Sequence, residues 1–276
     1  MNGRGLAPTP LLGALLAPAA AFFLAFWLLP MARLVGVGAS GPQGVGAYWA
    51  ILTNRNYLAS LAWTLGLSAA VTLATLIIAT IAGLFLERNR FPGRSLLLAV
   101  LTFPLAFPGV VVGFLIILLC GRQGMIGDFT QWLTGEKLVL AYTLTGLFLG
   151  YLYFSIPRVI LTVMAAAEKL DHALVEAART LGANPWRIVR DVTLPALAPA
   201  LISSGAICFA TSIGAFGTAF TLATNITVLP MTIYNEFTNY ANIPVAASLS
   251  VVLGVVTWAV LAGARSLAGN TVAAAA

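Results

Sequence analysis

The feature that most constrains this chain is a series of uninterrupted apolar runs, each about as long as a bilayer is thick. A helix needs about 20 apolar residues to cross hydrocarbon. Six segments meet that need: 11–29, 58–86, 95–119, 138–165, 196–223 and 245–267. Backbone N–H and C=O groups in hydrocarbon must be paired within the protein, so only helices and closed barrels cross. Barrel strands alternate apolar and polar residues over about ten positions. These runs do not alternate, so helices are expected. Composition agrees: 60% of the 276 residues are hydrophobic and 8% are charged, against about 25% charged in an average soluble domain. The sequence therefore predicts an all-α membrane protein with six transmembrane helices.

The net charge of +6 does not point to nucleic acid. The basic residues sit singly at the ends of apolar runs, where they set topology. With the N-terminus inside, the inner segments hold nine of them: Arg4, Arg88, Arg90, Arg94, Lys169, Arg179, Arg187, Arg190 and Arg265. The outer segments hold four: Arg33, Arg55, Arg122 and Lys137. This imbalance predicts cytoplasmic N- and C-termini, with residues 1–10 as the N-terminus, 11–267 as one transmembrane domain and 268–276 as a tail whose last residues, Ala273–Ala276, fray. The first run, preceded by Arg4, also fits a cleaved signal peptide. Its length and the poor cleavage site at Pro30-Met31-Ala32-Arg33 oppose that alternative. Cys120 and Cys208 lack metal-ligand spacing and are not expected to pair, and His172 has no partner set for catalysis or a metal. No catalytic or metal site is expected.

Residues 168–197, EKLDHALVEAARTLGANPWRIVRDVTLPAL, form the one long stretch that is not membrane-like. Asp171 is an expected N-cap, and 173–181 holds good helix formers. Gly182 stands where a left-handed residue ends a helix. Asn184 is the next N-cap, with Pro185 at the first helical position, where its missing N–H costs nothing. A second helix is expected over 186–192, with Pro195 releasing the chain into the fifth span. Ala177 and Ala178 keep the first helix slim, and Leu174, Leu181, Trp186 and Ile188 offer apolar anchors. The same pattern also fits an ordinary loop lying on the bilayer surface.

Glu176-Ala177-Ala178, then Gly182, then Leu194-Pro195 resembles the EAA motif of binding-protein-dependent ABC importer permeases. The string EAARTLGANPWRIVRDVTLPAL and its place before the penultimate span fit that family, and the likeness covers roughly residues 58–267. It implies a type I permease fold in which the loop at 168–195 is a cytoplasmic helix-turn-helix. That loop would dock on an ATPase subunit through Glu176, Ala177, Ala178, Gly182, Asn184, Pro185 and Trp186. It further implies a dimer of ATPase subunits that binds ATP and Mg, a periplasmic solute-binding protein, and a second permease subunit. The segments FPLAFPGVVVGF and VLPMTIYNEFTNYANIPVAASLSVVLG are similar to the spermidine/putrescine branch. That branch implies a heterodimer and a polyamine or similar small polar solute. Relatives of similar appearance serve sulfate, molybdate, ferric iron, thiamine and phosphonates.

Several residues inside the spans are candidates for the solute path or its gate. Arg158 follows Pro157 well inside the fourth run; an intramembrane charge marks function unless the span ends at Pro157 and the side chain snorkels to headgroups. Pro104, Pro108, Gly109 and Gly113 interrupt the third run, either lining a cavity or packing closely. Thr211, Gly214, Thr218 and Thr221 share a face of a continuous helix, and Thr224 belongs to the same hydroxyl-rich stretch; interhelical hydrogen bonding is the alternative. Glu236 lies in the polar aromatic segment 230–240, which is otherwise an interfacial anchor. There is no G-x-x-x-x-G-K-[ST] loop, so ATP chemistry is expected in another chain. A secondary transporter would need an inverted repeat or intramembrane carboxylates, and an intramembrane enzyme would need paired acid–base or metal groups. All eight acidic residues can be placed outside the spans or at their ends, which weighs against the first, and the spans hold no such set for the second.

Overall fold

The computed structural model describes residues 9–222 and 226–274; Arg4, Thr224 and the side chain of His172 fall outside that description. Among the described residues all regular structure is helical. In chain order the helices are α1 (Thr9–Phe23), α2 (Leu29–Gly38), α3 (Gly46–Thr53), α4 (Arg55–Arg88), α5 (Arg94–Thr102), α6 (Gly109–Cys120) and α7 (Met125–Thr134). They continue with α8 (Leu144–Ala167), α9 (His172–Thr180), α10 (Pro185–Ile188), α11 (Leu194–Ile213), α12 (Phe216–Leu222), α13 (Leu229–Thr238) and α14 (Ile243–Ala274). Among the described residues six stretches are long and apolar enough to cross a membrane: Leu15–Gly38, Arg55–Arg88, Gly109–Thr134, Leu144–Ala167, Pro185–Ile213 and Ile243–Ser266. The expected six-span, all-α architecture is present. The chain divides into two compact units, Met1–Arg55 with Ile233–Leu253 and Asn56–Thr232 with Gly254–Ala276.

Proline explains most departures from ideal helix. Two short π-helical turns occur, Leu24–Leu28 and Val189–Thr193. Each is followed by a leucine and then a proline, Pro30 or Pro195. A proline inside a helix has no N–H to donate and clashes with the carbonyl four residues back. Widening the preceding turn gives Leu29 N–H the carbonyl of Leu24 and Leu194 N–H the carbonyl of Val189, which keeps the ladder closed across the proline. The expectation that the fifth span starts afresh at Pro195 is therefore corrected. The second helix of the loop runs through the widened turn into α11 as one continuous stretch, Pro185–Ile213. Pro157 likewise does not end α8, which continues to Ala167.

The expected third and fifth spans are each broken. The run 95–119 is divided into α5, a 3₁₀ turn at Phe103–Ala106, and α6, with Phe107 extended at φ −88° and ψ 133°. Pro104 and Pro108 lie on either side of that break, and a residue preceding proline is driven out of the helical region. The run 196–223 ends its first helix at Ile213 and resumes at Phe216, with Gly214 and Ala215 between. α6 and α12, the pieces beyond the two breaks, pack against each other through small residues. A β-carbon built on Gly113 would lie 2.6 Å from Thr221 Cβ, and one on Gly109 would lie 3.2 Å from Thr218 N.

Elsewhere in the larger unit, α4 turns a stripe of small and hydroxyl residues inward: Ser60, Thr64, Ser68, Thr72, Thr75, Ala79 and Gly83 are all buried. Spacings of three and four place them on one face. A β-carbon at Gly83 would meet Val163 of α8 at 2.9 Å, and one at Gly205 of α11 would meet Leu76 at 3.0 Å. Small residues of this kind let membrane helices approach closely where lipid supplies no hydrophobic drive. In the smaller unit, Ser248 Oγ donates to Gly38 O at 3.0 Å and Tyr48 Oη to Val35 O at 2.9 Å. Cys120 and Cys208 are both free and buried.

Overpacking a close helix contact costs about 1–3 kcal/mol. Gly113→Val is accordingly expected to lower the thermal unfolding midpoint of the purified protein in detergent. Gly66→Ala, which has open space at its β-carbon, is expected to leave it unchanged or slightly raised.

Candidate functional site: a helical loop and an arginine-lined cavity

The loop takes its shape from local capping. Asp171 Oδ1 accepts the N–H of Ala173 at 2.9 Å and opens α9. The helix closes with the paired bonds of a glycine-ended terminus: Ala183 N–H to Ala178 O at 3.0 Å and Gly182 N–H to Arg179 O at 2.9 Å. Gly182 sits at φ +77° with open space around its missing β-carbon. The requirement for glycine there comes from the backbone angle and not from crowding. Asn184 Oδ1 accepts the N–H of Arg187 at 2.8 Å, and Pro185 occupies the first turn of α10.

Three apolar side chains of the loop project into the surroundings: Leu174 at 56% exposure, Leu181 at 87% and Trp186 at 68%. Glu176 and Ala177 are also exposed, and Ala178 is half-buried. Ile188, expected among the anchors, is 5% exposed and packs inside the chain. It faces inward because α10 is the first turn of the long helix and not a free-standing piece. Glu176 and Arg179 line a cavity of about 270 Å³ with Leu84, Arg88 and Leu170. Arg88, at the end of α4, donates from Nη2 to Thr193 Oγ1 at 3.2 Å. Thr193 is fully buried in the π turn, so the second span grips the loop where it joins the fifth. The sequence marked Arg88 only as a topology-setting charge, and its partner is 105 residues away.

A second cavity, also about 270 Å³, lies where the broken spans meet. Arg158, Thr211 and Thr218 line it together with Pro104, Phe107 and Phe154. α8 runs on for nine residues beyond Arg158, so Pro157 does not end the helix. Thr211 and Thr218 come together although the helix expected to align them breaks at Gly214. Thr218 Oγ1 donates to Gly109 O at 2.9 Å, and Thr211 Oγ1 is shared between Ile207 O at 2.9 Å and Cys208 O at 3.0 Å. Thr221 does not line the cavity; its hydroxyl is shared between Gly217 O at 3.0 Å and Val110 O at 3.3 Å. Glu236 is a buried residue of α13 in the smaller unit and is no part of this cavity.

Tyr151, which the sequence gave no reason to single out, is 2% exposed and donates its hydroxyl to Ala215 O at 2.7 Å. It ties α8 to the break in the fifth span. Among the described residues no three His, Cys, Asp or Glu side chains are grouped to hold a metal.

The family model for the binding-protein-dependent transport system inner membrane component matches residues 77–269, well over half of the chain. The chain belongs to this family. It is a multi-pass inner-membrane permease component, a transport subunit and not an enzyme. The sulfate transport system permease protein CysT of Escherichia coli (strain K12) is 34% identical over 199 residues, covering 72% of this chain and 70% of the relative. The molybdenum transport system permease protein ModB of the same strain is 36% identical over 177 residues, covering 64% and 76%. The fold is shared with a chain of a bacterial alginate ABC transporter, crystallised with an alginate-bound periplasmic protein, at a TM-score of 0.80 and 19% identity over 93% of each chain. It is also shared with a chain of the MetNI methionine ABC transporter, at a TM-score of 0.61 and 20% identity over 78% of this chain and 96% of the other.

Losing an asparagine N-cap costs a helix about 1 kcal/mol. Asn184→Ala is therefore expected to speed amide exchange at Arg187 severalfold, as read by hydrogen–deuterium exchange, while exchange in α4 is unchanged.

Proposed function

We propose that this chain is a permease subunit of an ATP-driven importer for a tetrahedral oxyanion of the sulfate or molybdate kind. The observation that carries the solute class is the identity of about one residue in three shared with the sulfate and molybdenum permeases. The named relatives favour this anion alternative over the polyamine that the resemblance of residues 103–114 and 228–254 implied. A periplasmic binding protein delivers the anion. A second permease subunit, most simply a different chain, completes the path, and a dimer of ATPase subunits binds ATP and Mg. Both termini and the loop at 168–195 face the cytoplasm, in keeping with the excess of arginine and lysine there.

The loop supplies the coupling contact. The exposed Leu174, Leu181 and Trp186 suit burial in a groove of the ATPase, around a slim helix that presents Glu176 and Ala177. Gly182, Asn184 and Pro185 set the angle between the two helices. Because α10 continues into α11, closure of the ATPase pulls on the fifth span directly, and the bond from Arg88 to Thr193 carries the second span with it.

The test is uptake of sulfate and molybdate by cells or proteoliposomes holding this chain with its partner subunits. One of the two anions is expected to accumulate with ATP, and putrescine is not; accumulation of putrescine alone would overturn the solute class. A β-branched residue at φ +77° costs about 1–2 kcal/mol. Gly182→Val is thus expected to reach the membrane at normal abundance yet lose substrate-stimulated ATPase activity and at least about tenfold of its uptake. Gly182→Asn, which tolerates the left-handed angle, retains more of both. Normal coupling in Gly182→Val would refute the role of the loop.

A further inference from the structure

We infer that the cavity at Arg158 is an oxyanion subsite on the solute path, where the guanidinium holds two oxygens of the passing anion. The inference deepens the importer reading above and rests on it for the identity of the solute.

The position of Arg158 is the first ground. In α8 (Leu144–Ala167) fourteen helical residues precede it and nine follow. At 1.5 Å per residue it stands about 21 Å from one end of the helix and about 14 Å from the other, inside a stretch long and apolar enough to cross a membrane. A charge inside such a stretch is costly unless it faces a water-filled cavity or a partner. Its cavity contains no carboxylate, and among the described residues the ion pairs are Lys137 with Asp128 and Arg190 with Asp191. The walls thus present a cation with no counter-charge of their own. A polyamine would be repelled there and an anion attracted.

The walls are the second ground. The cavity is bounded by the break at Phe107 and by the break at Ala215. Non-helical backbone at membrane depth is tolerated where protein buries it or where it lines a water-filled space. The breaks and the arginine therefore report the same space from three helical segments.

The chemistry is the third ground. The hydroxyl protons of Thr211 and Thr218 are already given to backbone carbonyls, so donation to an anion falls to Arg158. Its planar fork matches two oxygens of a tetrahedral anion, which an ammonium cannot do. A single cation also suits transit, since a site on a conduction path must release what it binds.

The experiment uses the complete transporter in proteoliposomes with its binding protein, and labelled sulfate and molybdate as probes. Losing a charged hydrogen-bond pair to the anion is expected to reduce uptake about tenfold or more in Arg158→Gln, with ATPase stimulation by the loaded binding protein held within about twofold. Arg158→Lys should fall between that variant and the wild type. Uptake by Arg158→Gln at the wild-type rate overturns the subsite. Wild-type protein that takes up neither anion overturns the importer's solute class instead.

A second measurement decides if uptake and ATPase fall together. Thr211→Cys, in a chain with Cys120 and Cys208 replaced by alanine, is treated with an anionic sulfonate thiosulfonate reagent and with its cationic ammonium counterpart. The anionic reagent is expected to react severalfold faster when Arg158 is present than when it is glutamine, the cationic one more slowly, and the transported anion should protect. A reagent preference that Arg158→Gln leaves unchanged overturns the subsite.

Discussion

A backbone carbonyl without a donor costs several kcal/mol inside hydrocarbon, and the arrangement of this chain follows from how it meets that requirement around its prolines. At Pro30 and Pro195 the preceding turn widens and the ladder stays closed. At Pro104 and Pro108 the helix instead breaks, with Phe107 extended between them. Side chains bridge the broken segments: Tyr151 donates to Ala215 O and Thr218 to Gly109 O. These bonds fix α8, α6 and α12 around one space, the cavity that holds Arg158.

The same rule sets the mechanics of the loop. A stop at Pro195 would have left a hinge between the loop and the fifth span. Instead Pro185–Ile213 is continuous, with the buried Thr193 held by Arg88 from the end of α4. The turn at Gly182 lies on the far side of α10. On the proposed reading, force entering through α9 and α10 is passed to two spans by rigid connections, and the one left-handed glycine of the loop fixes the direction in which it enters.

Much of this was legible in the sequence, where a local rule decided the outcome. The six spans follow from run length, and the caps at Asp171 and Asn184 and the turn at Gly182 follow from side-chain chemistry within a few residues. The boundaries failed where two rules compete. Proline reads as a helix stop, yet at Pro195 a widened turn keeps the helix continuous. The broken fifth span was hidden for the opposite reason, since Gly214-Ala215 is an ordinary pair inside an apolar run. Thr211 and Thr218 were placed together on a helical period that does not exist there; they meet because the break folds α12 against α6. Arg88, Tyr151 and the buried stripe on α4 were missed because their partners are distant in sequence.

The central claim is that the loop at 168–195 binds the ATPase subunit and does not rest on the membrane surface. A photoreactive amino acid in place of Leu181, which is 87% exposed, tests it most directly in the assembled transporter within native membranes. An adduct between this chain and the ATPase subunit is expected, with a yield that changes when nucleotide is added. Adducts to lipid alone, insensitive to nucleotide, would contradict it.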